Sequence, residues 1–311
     1  MPFEKVTDFM SIPYFDTHCD TASVIMEGFG LRSNSLHIDL ERGGKYTPWA
    51  QFFAFFADEG NFGDYKAQYE NFTKEIDQNS DRIMLCKDYS DAEKAFKDGK
   101  SAAFLMIEGA ELLDCSVDRL KEAREDGVRI VTITWNHANL LSGSNVDRIE
   151  EGLSDRGRDF VRACNELGVV PDVSHLSDPG FWDIIELTEK PIIATHYNSR
   201  KIWNHTRNLT DDMFRALIQT GGIVGINLYG EFIGEDPDIQ GLIRHVDHFL
   251  NLGGEGHLAI GADLDGCDVL PREISGIQDM PVFYDALEKE FGEKIARGIF
   301  FDNAASFFSK I

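Results

Sequence analysis

The sequence predicts an α/β fold, a parallel (β/α)8 TIM barrel, and three observations carry that expectation. Eight short apolar runs are bounded by Gly, Pro or polar clusters, amphipathic segments separate most of them, and acid or imidazole side chains stand near the ends of several. In chain order the runs are IPYFDTHCD (12–20), PWAQFFAFFA (48–57), SAAFLMIEG (101–109), VRIVTITWN (128–136), GVVPDVSH (168–175), PIIATHY (191–197), GGIVGINLY (221–229) and HLAIGADLDG (257–266). Strands covered by helices on both faces read as nearly continuous hydrophobic stretches rather than strict alternations, and these do. A barrel of this kind assembles its site at the carboxyl ends of its strands. His18, Asp20, Glu108, His175, His196 and Asp263 all lie at that end of their runs.

At 311 residues the chain exceeds a typical barrel of about 250 only by loop insertions, so a single domain over 1–311 is expected. No internal repeat, low-complexity tract or Pro/Ser-rich linker divides it. Residues 28–48 (GFGLRSNSLHIDLERGGKYTP) follow the first strand and are expected to form a long loop or hairpin over the barrel mouth. A second, acidic insertion (GEFIGEDPDIQ, 230–240) follows the seventh strand. Loops on that rim are where substrate preference resides.

Composition narrows the function. A hydrophobic content of 42% with 23 Phe suits a folded enzyme, and 54 acidic against 30 basic residues give a net charge of -24. That charge disfavours nucleic acid and anionic membranes as partners. Five widely spaced cysteines without a CxxC pair argue against both a disulfide framework and a thiolate zinc site. The amino terminus has no signal-peptide core, no window resembles a membrane span, and AASFFSKI is not a lipid-anchor tail. The expected location is the cytoplasm, with no membrane partner; a homodimer is compatible with the sequence.

The strand ends supply the chemistry of a metal site. Residues i and i+2 on a strand share a face, so His18 and Asp20 can ligate one ion while Cys19 faces away. Glu108, before Gly109, can reach the axis and bridge two cations, and His175 and His196 supply imidazoles from adjacent strands. Asp263 and Asp265 end the last strand on one face, and position favours Asp263 as the proton-handling carboxylate. Oxygen and imidazole ligands without thiolate suit Zn²⁺, with Mn²⁺, Fe²⁺ or Co²⁺ as replacements, and five ligands suit two ions per chain. The expected fold is therefore a TIM barrel of the metal-dependent hydrolase type. His245 and His248, in RHVDHFL, and His257, at the start of the last strand, are read as structural; His37 and His205 lie in rim loops.

The chain resembles the membrane dipeptidase (renal dipeptidase) family of zinc peptidases, in the form of a soluble bacterial-type member. The likeness runs in order through FDTHCD, IEGAE, GVRIVTITWNHAN, LGVVPDVSHLS, PIIATHYNSR with TRNLTDD, IRHVDHFLNLGG, IGADLDG and NAASFF. It implies that His18 and Asp20 bind one zinc, His175 and His196 the other, and that Glu108 bridges them. Asp263 matches the catalytic aspartate, and Arg207, eleven residues after His196, matches the arginine that grips the substrate carboxylate. A guanidinium suits that task because it binds carboxylate through two parallel hydrogen bonds. Two positions depart from the pattern. Trp135 stands where the eukaryotic dipeptidases carry a substrate-contacting histidine, with His137 or Asn136 able to reach in from the adjacent turn and strand parity favouring His137, and Phe232 stands in place of a pocket tyrosine.

The expectation is therefore a dinuclear zinc dipeptidase cleaving free dipeptides, L,D pairs among them by the resemblance, with a small peptide as its partner. The rival reading is hydrolysis of a lactone, amide or cyclic imide at the same metal site, since barrels change substrate through their loops.

Overall fold

Eight parallel strands close into a barrel in this computed structural model, which describes residues 12–311. With one further strand outside the ring, the described residues form β1 (Tyr14–Asp16), β2 (Trp49–Phe55), β3 (Ile83–Leu85), β4 (Ser101–Glu108), β5 (Val128–Thr132), β6 (Val170–Asp172), β7 (Ile193–Tyr197), β8 (Ile223–Ile226) and β9 (Leu258–Ile260). The ring runs β1-β2-β4-β5-β6-β7-β8-β9 and closes by Asp16 pairing with Ile260. All eight predicted runs contain a ring strand. β3 stands outside the ring, pairing Ile83 with Ser101 and Leu85 with Ala103 at the start of β4. Its three residues fall between the helices Phe62–Gln78 and Tyr89–Lys97, too few to form a legible pattern.

Side-chain alternation divides the apolar residues into two cores. Ala50, Phe52 and Ala54 of β2 and Ala102, Phe104 and Met106 of β4 pack inside the barrel with Phe15, Ile130, Ile193 and Ile223. Their neighbours Phe53, Phe55, Leu105 and Ile107 face outward into the larger core beneath the helices. The same alternation places Glu108, two residues after Met106, on the inner face. At the opposite end, the helix Asn303–Phe308 plugs the base of the barrel: Phe308 lies 5.4 Å from Phe15 and 4.6 Å from Phe52, ring centre to ring centre. Arg129, at the start of β5, donates from Nη2 to the Ile311 carbonyl and holds the tail there.

The 28–48 segment is the β1-to-β2 crossover rather than only a loop at the mouth. Near the mouth, the His37 amide donates to Asp265 Oδ1. The chain then makes one helical turn, Leu40–Gly43, capped by Asp39, and is held by the Tyr46 hydroxyl on the Ile277 carbonyl. All five cysteines are buried and unbonded. Among the described residues no helix is long and apolar enough to cross a membrane.

Candidate metal centre and active site

Local irregularities, not ideal strands, aim the side chains at the top of the barrel. A bend at Thr17 follows β1, and Cys19, bridged to Leu264, buries its thiol in the outer core while His18 and Asp20 turn inward. The register of β7 against β8 slips between Ala194 and Tyr197, around His196; such slips re-aim side chains beside active sites. His175 (φ 65°) and Asp263 (φ 59°) both adopt the left-handed conformation that non-glycine residues reach only at a cost.

The result is a tight, buried cluster. Glu108 Oε1 lies 2.9 Å from His175 Nε2, 3.6 Å from His196 Nε2 and 3.8 Å from His18 Nε2. His18 Nε2 is also 3.5 Å from Asp20 Oδ2 and 3.6 Å from Asp263 Oδ1. Two overlapping groups result, His18 with Glu108 and His196, and His18 with Asp20 and Asp263, each with its ligand atoms within 4.8 Å of one another. Both ring nitrogens of His18, Asp20 Oδ1 and Arg207 Nη1 are buried without a hydrogen-bond partner, a costly arrangement for a protein alone. A Cβ on Gly266 would collide with the carboxylates of Asp20 and Asp263, so glycine keeps the cradle open. These features fit divalent cations.

Electrostatics point the same way. Burial, reinforced by the charge of Asp20, holds the Glu108 carboxyl well above its usual range. Burial likewise pushes Asp263 up to about 6. Burial opposes charge on His18, but the surrounding Glu108, Asp20 and Asp263 carboxylates raise it to about 10. Burial, aided by the positive charges of Arg207 and His18, keeps His175 and His196 neutral, as ligands must be. The pocket thus crowds acids together and calls for positive charge.

Buried hydrogen bonds fix the imidazoles. Asp172 Oδ1 accepts from the Ser174 and Thr195 amides and the Ser174 hydroxyl, while Oδ2 accepts from the Thr132 and Thr195 hydroxyls. Thr195 Oγ1 in turn lies 2.9 Å from His196 Nδ1, and Asn136 Oδ1 lies 2.9 Å from His175 Nδ1. Asn227 Nδ2 donates to Asp263 Oδ2 at 3.2 Å. Such partners set ligand tautomer and orientation. Sequence reasoning passed over Asp172, Thr195 and Asn227, and ranked Asn136 behind His137; the available signal was an aspartate inside the buried run GVVPDVSH.

Above the cluster lies a cavity of about 430 Å³, bordered by Asp20, Glu108, His175, Arg207 and Asp263. Arg207 is buried, with Nη2 2.9 Å from His175 Nε2 and its guanidinium over the rings of Tyr197 and Phe232. The structure brings seven of the eight expected site residues to this place. His137 is the exception: its side chain is exposed, 3.4 Å from Asp58, while Trp135 and Asn136 line the cavity. Strand parity favoured His137, but β5 ends at Thr132 and the chain bends from Ile133 onward, so period-2 alternation no longer applies. His205 and Phe232 line the cavity with rings 4.7 Å apart. His37 and Asp265 brace each other, and Asp265 also accepts from the Thr21 hydroxyl. His245 and His248 are structural: the first accepts from the Ser199 amide and bonds the Ile233 carbonyl, and the second pairs with Asp211.

Fold and site together define a metal-dependent hydrolase on a TIM barrel. The chain belongs to the membrane dipeptidase family (peptidase family M19), whose model matches residues 5–311, and is a metal-dependent peptide hydrolase of that family. It is 32% identical over 225 residues to an uncharacterized protein in the pqqA 5' region of Klebsiella pneumoniae, covering 68% of this chain and 82% of that one. It is 30% identical over 262 residues to the dipeptidase tcpJ of Claviceps purpurea, covering 78% of this chain and 61% of that longer protein. A metallo peptidase from Rhodobacter sphaeroides, solved with a phosphinate mimic of the dipeptide L-Ala-D-Ala, superposes with a TM-score of 0.87 at 24% identity, covering 96% of this chain and 99% of that one.

Proposed function

We propose that this chain is a dinuclear zinc dipeptidase acting on free dipeptides, including those with a D residue at the carboxyl terminus. The observation that carries the reading is Glu108 Oε1, which lies within 2.9–3.8 Å of the Nε2 atoms of His175, His196 and His18, with Asp20 Oδ2 3.5 Å from His18 Nε2; we assign His18 with Asp20 to one ion and His175 with His196 to the other. Bound there, two divalent ions would polarise the scissile carbonyl and bring the pKa of water near neutrality. The Asp263 carboxylate takes the proton of the attacking water on Oδ1, the oxygen facing His18, while Asn227 holds Oδ2. The same oxygen then returns that proton to the departing amine nitrogen. Arg207, with Nη1 buried and unpartnered, receives the terminal carboxylate and so separates a dipeptide from a longer chain. Tolerance of a D residue draws support from the family relationship and from the ligand of the Rhodobacter sphaeroides enzyme.

Elemental analysis of purified protein should approach two divalent ions per chain, and Glu108→Ala should lose at least one. Asp263→Asn should keep its fold while kcat for dipeptides falls by orders of magnitude. A Glu108→Ala protein that still holds both ions refutes the bridging assignment, and near-normal turnover in Asp263→Asn refutes the proton-transfer role.

A further inference from the structure

Resting on the dipeptidase reading with Arg207 as the carboxylate anchor, we propose that Phe56 and Trp135 form a subsite selecting dipeptides whose amino-terminal residue is large and apolar. In the eight-stranded ring β7 and β2 are four strands apart, and hence opposite each other. Arg207 lies on the loop after β7, and Phe56 immediately follows β2. A dipeptide held by its carboxylate at Arg207, with its peptide bond over the ligand cluster, extends its amino-terminal residue toward the β1, β2 and β5 side.

Beyond Asp20, Ser23 and Asn136, that side of the cavity presents an apolar wall. Phe56 and Trp135 meet with ring centroids 4.6 Å apart at 51°, and Trp135 also leans toward His175 at 6.1 Å. Val24 and Val146 complete the wall, and Val146 is 62% exposed, an apolar side chain at the mouth that a bound side chain would cover. The opposite side carries Arg207, His205, Tyr229 and Glu231 around the one ring of Phe232, so the charged groups that meet a carboxylate stand apart from the Phe56 and Trp135 pair.

The wall is also held in place before substrate arrives. The Phe56 amide donates to both Ser23 Oγ and Gln68 Oε1, and the Gln68 amide nitrogen donates back to the Phe56 carbonyl at 2.6 Å. A surface fixed this way loses little conformational freedom on binding.

The test compares kcat/KM on metal-loaded enzyme for Gly-Ala, Leu-Ala and Phe-Ala with the reversed series Ala-Gly, Ala-Leu and Ala-Phe. Wild type should favour Phe-Ala and Leu-Ala over Gly-Ala by about tenfold or more, the discrimination a well-packed apolar pocket provides. Trp135→Ala and Phe56→Ala should each lower the Phe-Ala to Gly-Ala ratio about fivefold or more, on the same scale, and leave the Ala-Phe to Ala-Gly ratio within about twofold. Trp135→Leu should retain the preference for Leu-Ala. A general loss of fold lowers every rate together and leaves the ratios alone, so unchanged ratios in the variants overturn the proposal. Equal efficiency of the wild type on Gly-Ala and Phe-Ala overturns it too while leaving dipeptidase activity standing; cleavage of none of the six peptides removes both.

Discussion

Replacing Asp172 with Asn should weaken metal binding without touching a ligand. Oδ1 of Asp172 faces two backbone amides that can only donate, from Ser174 and Thr195, so the oxygen of the asparagine must stay there. Its NH₂ group then takes the place of Oδ2 and faces the Thr132 and Thr195 hydroxyls. In the native protein the Thr195 hydroxyl gives its proton to Asp172 at 2.7 Å and is left to accept from His196 Nδ1 at 2.9 Å. That arrangement keeps His196 Nε2 bare and turned toward Glu108. In Asp172→Asn the amide donates to Thr195, whose hydroxyl proton turns to His196 Nδ1 and drives the ring proton onto Nε2, the wrong tautomer for a ligand. Loss of such a partner typically costs 10–100-fold in metal affinity, roughly 1.4–2.7 kcal/mol. Competition against a metal chelator should find that loss in protein whose unfolding remains cooperative. Wild-type metal affinity in Asp172→Asn would refute the tautomer argument.

Three other outcomes are expected. Arg207→Met should cost roughly 2–4 kcal/mol in kcat/KM on free dipeptides and much less on dipeptide amides, because only the former present a carboxylate; equal losses on both would assign Arg207 a structural role, and a wild type preferring amides or lactones would remove the dipeptidase assignment. Burial lowers His245 to about 4, so the unfolded chain, protonating near 6.5, binds the proton first and stability falls as the pH drops from 6.5 toward 4. Between pH 7 and 5 this group accounts for about 2 kcal/mol of lost stability, and urea titrations of His245→Gln, whose amide can serve both the Ser199 and Ile233 partners, should lose that much less than wild type. Phe308→Ala should lower stability by about 3–5 kcal/mol, since it empties the aromatic plug formed with Phe15 and Phe52; a Tm shift of a degree or less would show that the base of the barrel repacks at little cost.

The strands and the residues of the buried cluster were legible in the sequence because both are written locally. Each ring strand is a short apolar run, and each residue of the buried cluster is a polar residue near its end, so the order of the chain already lists His18, Asp20, Glu108, His175, His196 and Asp263. Periodicity could not go past the last paired residue of a strand. Beyond Thr132 the backbone bends, so Trp135 and Asn136 line the cavity and His137 faces solvent. Nor could spacing reveal that Asp172 reaches Thr195, 23 residues away, or that Phe308 closes on Phe15 from the far end of the chain. The sequence by itself determined the barrel and the polar residues that meet at its mouth, through a pattern that neighbouring residues carry. Only the tertiary structure decided which turn residues face the substrate and which buried hydrogen bonds hold each imidazole, because those depend on groups that meet only when the ring closes.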